Sequence, residues 1–311
     1  MGDFGRVVRM RPAPIPSELG SAFSFAAARE QGLSRRRLSR ADLVAPFRGS
    51  RIVRAASTAD DARDASRLDH LERCRAFATV APLEFAFSHT SAAALYGMPL
   101  PERLLDRVHV MVGRESHPPR HRGVVAHRVT ESDRRKLGPV PVASPETVWL
   151  QLASVLSLDD LIVAGDWLVR RKGPLSSVDS LHAVVAGNPG ARGIRQLREA
   201  LSNVRPGTDS PQETRLRLLI VRAGLPEPTV GYRVIEAGAF IGTPDLAWVD
   251  KRVAIEYEGS HHWTNRDVYE EDIHRRELFE SVRWRVVLVT GRQMSRSASL
   301  IGRLREAYNG G

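Results

Sequence analysis

The residues best equipped for chemistry lie in one stretch, Gly242-Thr243-Pro244-Asp245-Leu246-Ala247-Trp248-Val249-Asp250-Lys251-Arg252-Val253-Ala254-Ile255-Glu256-Tyr257-Glu258-Gly259. Two apolar-alternating strands flank Asp250-Lys251, and a hairpin turned on those residues pairs position i with position 501 minus i. Asp245 then faces Glu256. Directly opposed side chains lie about 4.5–5.5 Å apart at Cβ, where like charges destabilise unless something compensates them. A divalent cation is the natural compensation. The two-residue period of a strand puts Glu258 on the face of Glu256 and turns Val253, Ile255 and Tyr257 to the other, apolar face. Oxygen-only ligands suit Mg²⁺ or Mn²⁺, and such an ion can activate water and neutralise a phosphorane-like transition state. Asp245 and Glu256 are the candidate metal ligands, joined by a backbone carbonyl near Tyr257. The plainer reading is a pair of exposed strands with solvated acids.

Two further features belong to this stretch. His261 and His262 follow the acidic strand, where an imidazole can protonate a leaving group or relay a proton. Glu213, on the helix before the sheet, can add a fourth carboxylate. It equally completes a capping box, with Ser210 at the N-cap, Pro211 at the first helical position and Glu213 at the third. On the following helix Glu271 with Arg275, and Asp272 with Arg276, have the spacing of solvated i,i+4 ion pairs.

The elements that must position these residues read as an α/β segment. Helices are expected at about 211–223, 265–281 and 298–308, with strands at about 230–235, 242–248, 252–258 and 284–290, giving a mixed sheet flanked by helices. Upstream, Asn203-Val204-Arg205-Pro206-Gly207-Thr208-Asp209 interrupts two helical patterns and is the expected linker. The middle, about 60–203, carries helices around 62–78, 91–96, 145–156, 158–170 and 177–186 and strands around 108–112 and 123–128. Its histidines, His70, His89, His109, His117, His121, His127 and His182, are scattered without the local spacing of metal ligands, so each reads as a core or surface residue. This part reads as a connector or protein-interaction module.

At the N-terminus, Ala26–Gln31 is a helix former that Gly32 stops, and Ser34 suits the N-cap of a second helix running to about Leu43. Helix, short turn and helix is a helix-turn-helix pattern, and its second helix opens with Arg35, Arg36 and Arg37, where a recognition helix meets bases and phosphates. Pro46 to Arg54 reads as a turn and strand whose Arg48 and Arg51 suit a wing. A small helical cap with solvated arginines is the alternative. Residues 1–80 carry 15 basic against 9 acidic side chains, so much of the formal charge of +10 lies here. A basic balance is the electrostatic footprint of nucleic-acid binding.

Composition bounds the rest. A chain of 311 residues has length for two or three domains, and its 42% hydrophobic and 26% charged residues are those of an ordinary folded protein. No apolar run approaches the roughly 20 residues of a membrane-spanning helix, and the first residues lack a secretory pattern, so a cytoplasmic location is expected. Cys74 is the single cysteine, which excludes an intrachain disulfide and thiolate clusters.

Pro244-Asp245 followed by Glu256-x-Glu258 resembles the PD-(D/E)XK nuclease superfamily. Glu256-Tyr257-Glu258-Gly259-Ser260-His261-His262 is similar to its branch related to the very-short-patch-repair (Vsr) endonuclease. The likeness covers about 208–308 and implies a restriction-endonuclease-like αβββαβ core that cuts DNA phosphodiesters with Mg²⁺. The chain departs from the pattern at Glu258, where the superfamily commonly has Lys and this branch Asp, which gives His262 more weight in proton transfer. It departs again at Val282-Arg283-Trp284, where Gly is expected directly before Trp. The N-terminal pattern resembles the winged-helix domain of AbiEi-type antitoxins, and the middle resembles the part C-terminal to that domain in the same antitoxins.

The expectation is therefore an α+β multi-domain protein: a winged helix-turn-helix at 20–58, an AbiEi-like α/β segment at 60–203 and a nuclease domain at 208–308. Its activity would be metal-dependent DNA endonuclease, with Asp245, Glu256, Glu258, His262 and Glu213 as catalytic residues. The rival is a DNA-binding regulator or antitoxin with a non-catalytic nuclease-like domain. RNA remains open as a substrate, since the same metal chemistry attacks both backbones.

Overall fold

The computed structural model describes residues 13–53, 62–130, 133–259 and 275–310. The chain is mixed α and β and divides into two compact units, Met1–Ser144 and Pro145–Gly311. Among the described residues, no helix is long and apolar enough to cross a membrane.

The first unit opens with β1 (Ala22–Ser24), α1 (Phe25–Glu30), α2 (Arg35–Leu38), β2 (Leu43–Val44) and β3 (Ser50–Val53). The strands form an antiparallel sheet in the order β1-β3-β2. The caps read from sequence are in place: Ser34 Oγ accepts from the amide of Arg37 at 3.1 Å, and Gly32 stands past the end of α1 at φ 81°. The second helix is shorter than expected, ending at Leu38 instead of near Leu43. The chain must leave it to bring Leu43 and Val44 alongside Val53 and Ile52. Phe23, Ala28, Leu33 and Leu38 make the small core.

A larger sheet follows α3 (Ala62–Ala78). It contains β4 (Phe85–Phe87), β5 (Val108–Gly113), β6 (Val124–Val129), β7 (Arg134–Leu137) and β8 (Val140–Ala143), in the order β6-β5-β4-β8-β7, with α4 (His89–Leu95) between β4 and β5. β5 runs parallel to β6 and antiparallel to β4. Phe77, Phe85 and Phe87 meet edge to face in its core.

The second unit starts with α5 (Pro145–Leu152), α6 (Leu158–Leu168), α7 (Val178–Gly187) and α8 (Ile194–Asn203), then α9 (Pro211–Arg222). The segment expected at 60–203 is thus divided at Ser144/Pro145, and its last four helices belong with the C-terminal sheet. The expected linker is built into this unit. Asp166 of α6 is fully buried; its Oδ1 accepts from the amide of Arg205 at 2.7 Å, and its Oδ2 from the hydroxyl of Thr214 at 2.9 Å and from Arg217 at 3.0 Å. Thr208 is buried as well. Pro206 and Gly207 signal the end of a helix, and a chain reversal answers that signal as well as a domain boundary does.

The C-terminal sheet has the order β14-β13-β12-β9, from β9 (Thr229–Val230), β12 (Leu246–Trp248), β13 (Val253–Glu258) and β14 (Arg285–Thr290). β10 (Val234–Glu236) and β11 (Ala239–Gly242) form a separate hairpin. The strands expected at 230–235 and 242–248 are each broken. Gly231 takes φ 58° in the first, and Pro244, with no amide hydrogen for a ladder, stands in the second. α10, described over residues 275–281, crosses from β13 to its parallel neighbour β14, and α11 (Gly291–Met294) and α12 (Ser297–Asn309) close the chain. One sheet face packs Trp248, Val253, Ile255 and Val289 against Leu216 and Ile220 of α9 and Leu300 and Leu304 of α12. The other packs Ala247 and Ala254 against Phe279 and Trp284. Each fully buried aliphatic side chain stabilises by about 1.5–3 kcal/mol, so these two faces hold the sheet against both layers.

Candidate active site

The β12–β13 register is the one expected, Leu246 with Ile255, Ala247 with Ala254 and Trp248 with Val253. The turn differs. It is a 3₁₀ turn over Val249–Lys251 followed by Arg252 at φ 50°, instead of a two-residue loop, yet it is centred on the same peptide and keeps the pairing. Extending that register by one pair sets Asp245 opposite Glu256. The face that carries Ala247 and Ala254 in the core thus turns acidic at the C-terminal end of β13, just beyond Phe279.

Gly242 makes this approach possible. A Cβ there would lie 2.9 Å from two ring atoms of the buried Phe279, so any larger residue would have to displace that ring.

A cavity of about 250 Å³ is lined by Asp209, Glu213, Asp245, Glu256 and Glu258, with Arg171, Lys172, Arg275 and Arg276 among its remaining walls. Asp245 Oδ2 accepts from the amide of Tyr257 at 2.8 Å, a bond that fixes the carboxylate against the edge of β13. Burial raises the Asp245 pKa above the ordinary carboxylate value, and Asp209 adds to the rise. The Tyr257 amide and the charges of Arg275 and Arg171 act against it. Glu213 is pushed up to about 7, first by burial and then by the charge of Asp245.

Glu213 makes only half of the expected capping box, because its side chain takes the amide of Asp209 instead of that of Ser210, and it lines the cavity as the fourth carboxylate. Its amide donates to Ser210 Oγ at 3.2 Å, which caps α9, and its carboxylate accepts from the amide of Asp209 at 2.9 Å while lining the acidic cavity. Glu256 accepts from Arg275 at 2.6 Å, and Glu258 stands 3.6 Å from Arg276. The partners in Glu271 and Asp272 expected for these arginines lie outside the described residues, as do His261 and His262. Tyr257 turns its ring to the apolar face, packed on the core with Ile255 and Val289. The groups missed in the sequence are Asp209, Arg171 and Lys172. Arg171 holds Asp209 through two bonds of 2.9 and 2.7 Å, and the Lys172 amide gives it a third at 2.9 Å. Only their contact across the fold connects them, and no local pattern carries that.

At the N-terminus the five candidate arginines separate. Arg35, Arg36 and Arg48 are exposed. Arg37 is a correction: it is buried, with its guanidinium on both oxygens of Asp42 at 3.1 and 2.7 Å and on the carbonyl of Ala13 at 2.6 Å. Arg51 is likewise turned inward, bonding the carbonyls of Leu38 and Ser50 at 2.7 Å each and lying over the ring of Phe25. Their side chains hold the small sheet to its helices, so neither has its full donor set for a base or phosphate.

No protein-family model matches the chain, and no solved structure matches it. Among curated proteins, it is similar to uncharacterised proteins from two strains of Mycobacterium tuberculosis, CDC 1551 / Oshkosh and H37Rv, each 38% identical over 74 residues. The match covers 24% of this chain, and the chain spans 27% of the length of those relatives.

Proposed function

We propose that this chain is a divalent-metal-dependent endonuclease acting on DNA, with a restriction-endonuclease-like core in the second unit and a winged-helix DNA contact in the first. The observation that carries the reading is Asp245. A half-buried carboxylate fixed by the Tyr257 amide, set opposite Glu256 by the strand register and with a charge that raises the pKa of Glu213, is a concentration of negative charge that a cation relieves. Asp245 and Glu256 would hold Mg²⁺ or Mn²⁺ with the Tyr257 carbonyl, and Glu213 would assist through water. The ion supplies an activated water and charge neutralisation at the phosphate. Arg171, Lys172, Arg275 and Arg276 line the same cavity and would orient the phosphodiester. Glu258 or His262 would handle protons. A second support lies at Arg283, where the resemblance would place glycine: its φ is 59°, the left-handed conformation glycine favours. Arg35, Arg36 and Arg48 would engage the DNA backbone.

A specific observation favours the rival reading, a DNA-binding regulator or AbiEi-type antitoxin without catalysis. Glu256 is tied to Arg275 at 2.6 Å, so the metal must displace an existing ion pair. Cleavage of supercoiled plasmid, with single-stranded and duplex DNA and RNA alongside, decides between them in Mg²⁺, Mn²⁺ or EDTA. Metal-dependent cutting that Asp245→Ala abolishes, with DNA binding retained, is the expected outcome. Cutting that persists in Asp245→Ala removes that residue from the mechanism. A salt-sensitive gel shift that Arg36→Ala weakens, with no cutting by any form, selects the regulator.

A further inference from the structure

The first unit contains a second cluster of potential ligands, unconnected with carboxylate chemistry. The parallel register of β5 and β6 pairs His109 with Val125 and Met111 with His127, which puts His109 and His127 on one face, two residues out of line. β4 leads through Ser88 to His89, the first residue of α4. The ligand nitrogens of His89, His109 and His127 all lie within 4.8 Å of one another. His109 Nδ1 is 3.0 Å from His127 Nε2, and the rings of His89 and His127 stack with centroids 3.7 Å apart.

Two independent observations mark this cluster as built. His89 holds φ 48°, a left-handed conformation that few non-glycine residues adopt and histidine adopts more readily than most, and this unusual turn falls on one of the three. The backbone under His109 is pinned on both sides: its amide donates to Ser91 Oγ at 2.7 Å, its carbonyl accepts from the Ser88 amide at 3.1 Å, and the buried His70 braces Ser91 at 3.1 Å and the Leu105 carbonyl at 2.9 Å.

We propose that His89, His109 and His127 form a three-imidazole site for a transition-metal dication of the Zn²⁺ class, separate from the acidic cavity. Imidazole suits zinc, copper and nickel and ill suits Mg²⁺. Tetrahedral zinc at about 2.0–2.1 Å per bond spaces its nitrogens about 3.3 Å apart, close to the His109–His127 separation, and a turn of the His89 ring brings the third nitrogen in. Three neutral ligands leave the ion its full double charge and one open position, which selects water, hydroxide or a small anion as the fourth ligand.

The test uses the untagged full chain, stripped with chelator and titrated with ZnCl₂ by calorimetry, with CoCl₂ absorption and zinc X-ray absorption as reporters of the ligand sphere. With Mg²⁺ in large excess to occupy the acidic cavity, the expected result is one Zn²⁺ per chain, a tetrahedral Co²⁺ spectrum and imidazole scattering from three rings. His109→Ala and His127→Ala should each weaken binding by more than about 100-fold, beyond what a merely supporting residue costs. Asp245→Ala should leave binding intact. No stoichiometric uptake by the wild type overturns the proposal. So does an absorption spectrum with an oxygen-only sphere, or binding that the histidine variants keep and Asp245→Ala loses. The scattering measurement on wild type decides the matter even if a histidine variant does not fold, which circular dichroism in chelator would reveal.

Discussion

Glu213 shows how much meaning a single residue can hold. Its amide is capped by Ser210 at the start of α9, and its carboxylate, raised first by burial and then by the charge of Asp245, is pushed up to about 7 from 4.5. Between those two values the folded metal-free chain binds more protons than the unfolded one. The stability contributed by a neutral Glu213 is therefore fully present below pH 4.5 and is lost as the pH rises through about 7. Urea unfolding of metal-free protein from about pH 5 to about pH 8 should show this fall, and Glu213→Gln should flatten it. A slope of the same size in Glu213→Gln would assign it to other groups. Mg²⁺ should restore wild-type stability at the upper end, because a cation held by the ionised carboxylates stabilises the folded chain. Residue types were legible here, since a Pro-Asp, Glu-x-Glu pattern and a Ser-Pro-Gln-Glu cap stand in the chain as written. Environment was not: three consecutive arginines look alike in sequence, and only packing turns Arg37 inward while Arg35 and Arg36 stay exposed.

Among the elements, α6 and α9 are held together by a buried ion pair between Asp166 and Arg217, whose side chains are 0% and 1% exposed. Burial raises the Asp166 pKa, and Arg217, the Arg205 amide and the Thr214 hydroxyl oppose the rise by favouring its charged form. Removing one partner strands the other charge out of water, which costs about 3–5 kcal/mol, whereas an apolar pair of similar volume is often close to neutral. Arg217→Met should therefore lower the midpoint of denaturant unfolding strongly, and adding Asp166→Leu should recover part of the loss. A double variant no more stable than Arg217→Met would show that the network's other bonds carry the contact. Helix starts were readable because Ser34 and Ser210 each accept a backbone amide in the first turn. β4 was missed for the opposite reason. Phe85-Ala86-Phe87 is buried on every residue and shows no polar alternation to mark a strand.

For the whole molecule, the division at Ser144/Pro145 makes a concrete demand on any shortened form. A fragment of residues 145–311 should melt cooperatively and keep the acidic cavity. One of residues 208–311 should fail to, because it lacks Asp166 beneath Arg217 and Arg171 beside Asp209. Thermal scans by circular dichroism of the two fragments check this, and a cooperative transition in the shorter one would restore a boundary at the 203–209 segment. By itself the sequence determined the local grammar: caps, helical stretches, the pairing of β12 with β13, and the alternation that separates Glu256 and Glu258 from Ile255 and Tyr257. These follow from forces acting over a few residues, namely backbone hydrogen bonding, turn geometry and the pleat. Only the tertiary structure decided which distant groups meet. Asp209, Arg171 and Lys172 join the acidic cavity, and His89, His109 and His127, some twenty residues apart, come within bonding reach of one another. Sheet order and helix docking bring such groups together, and burial then sets their charge; both depend on the closed core, which no stretch of sequence contains.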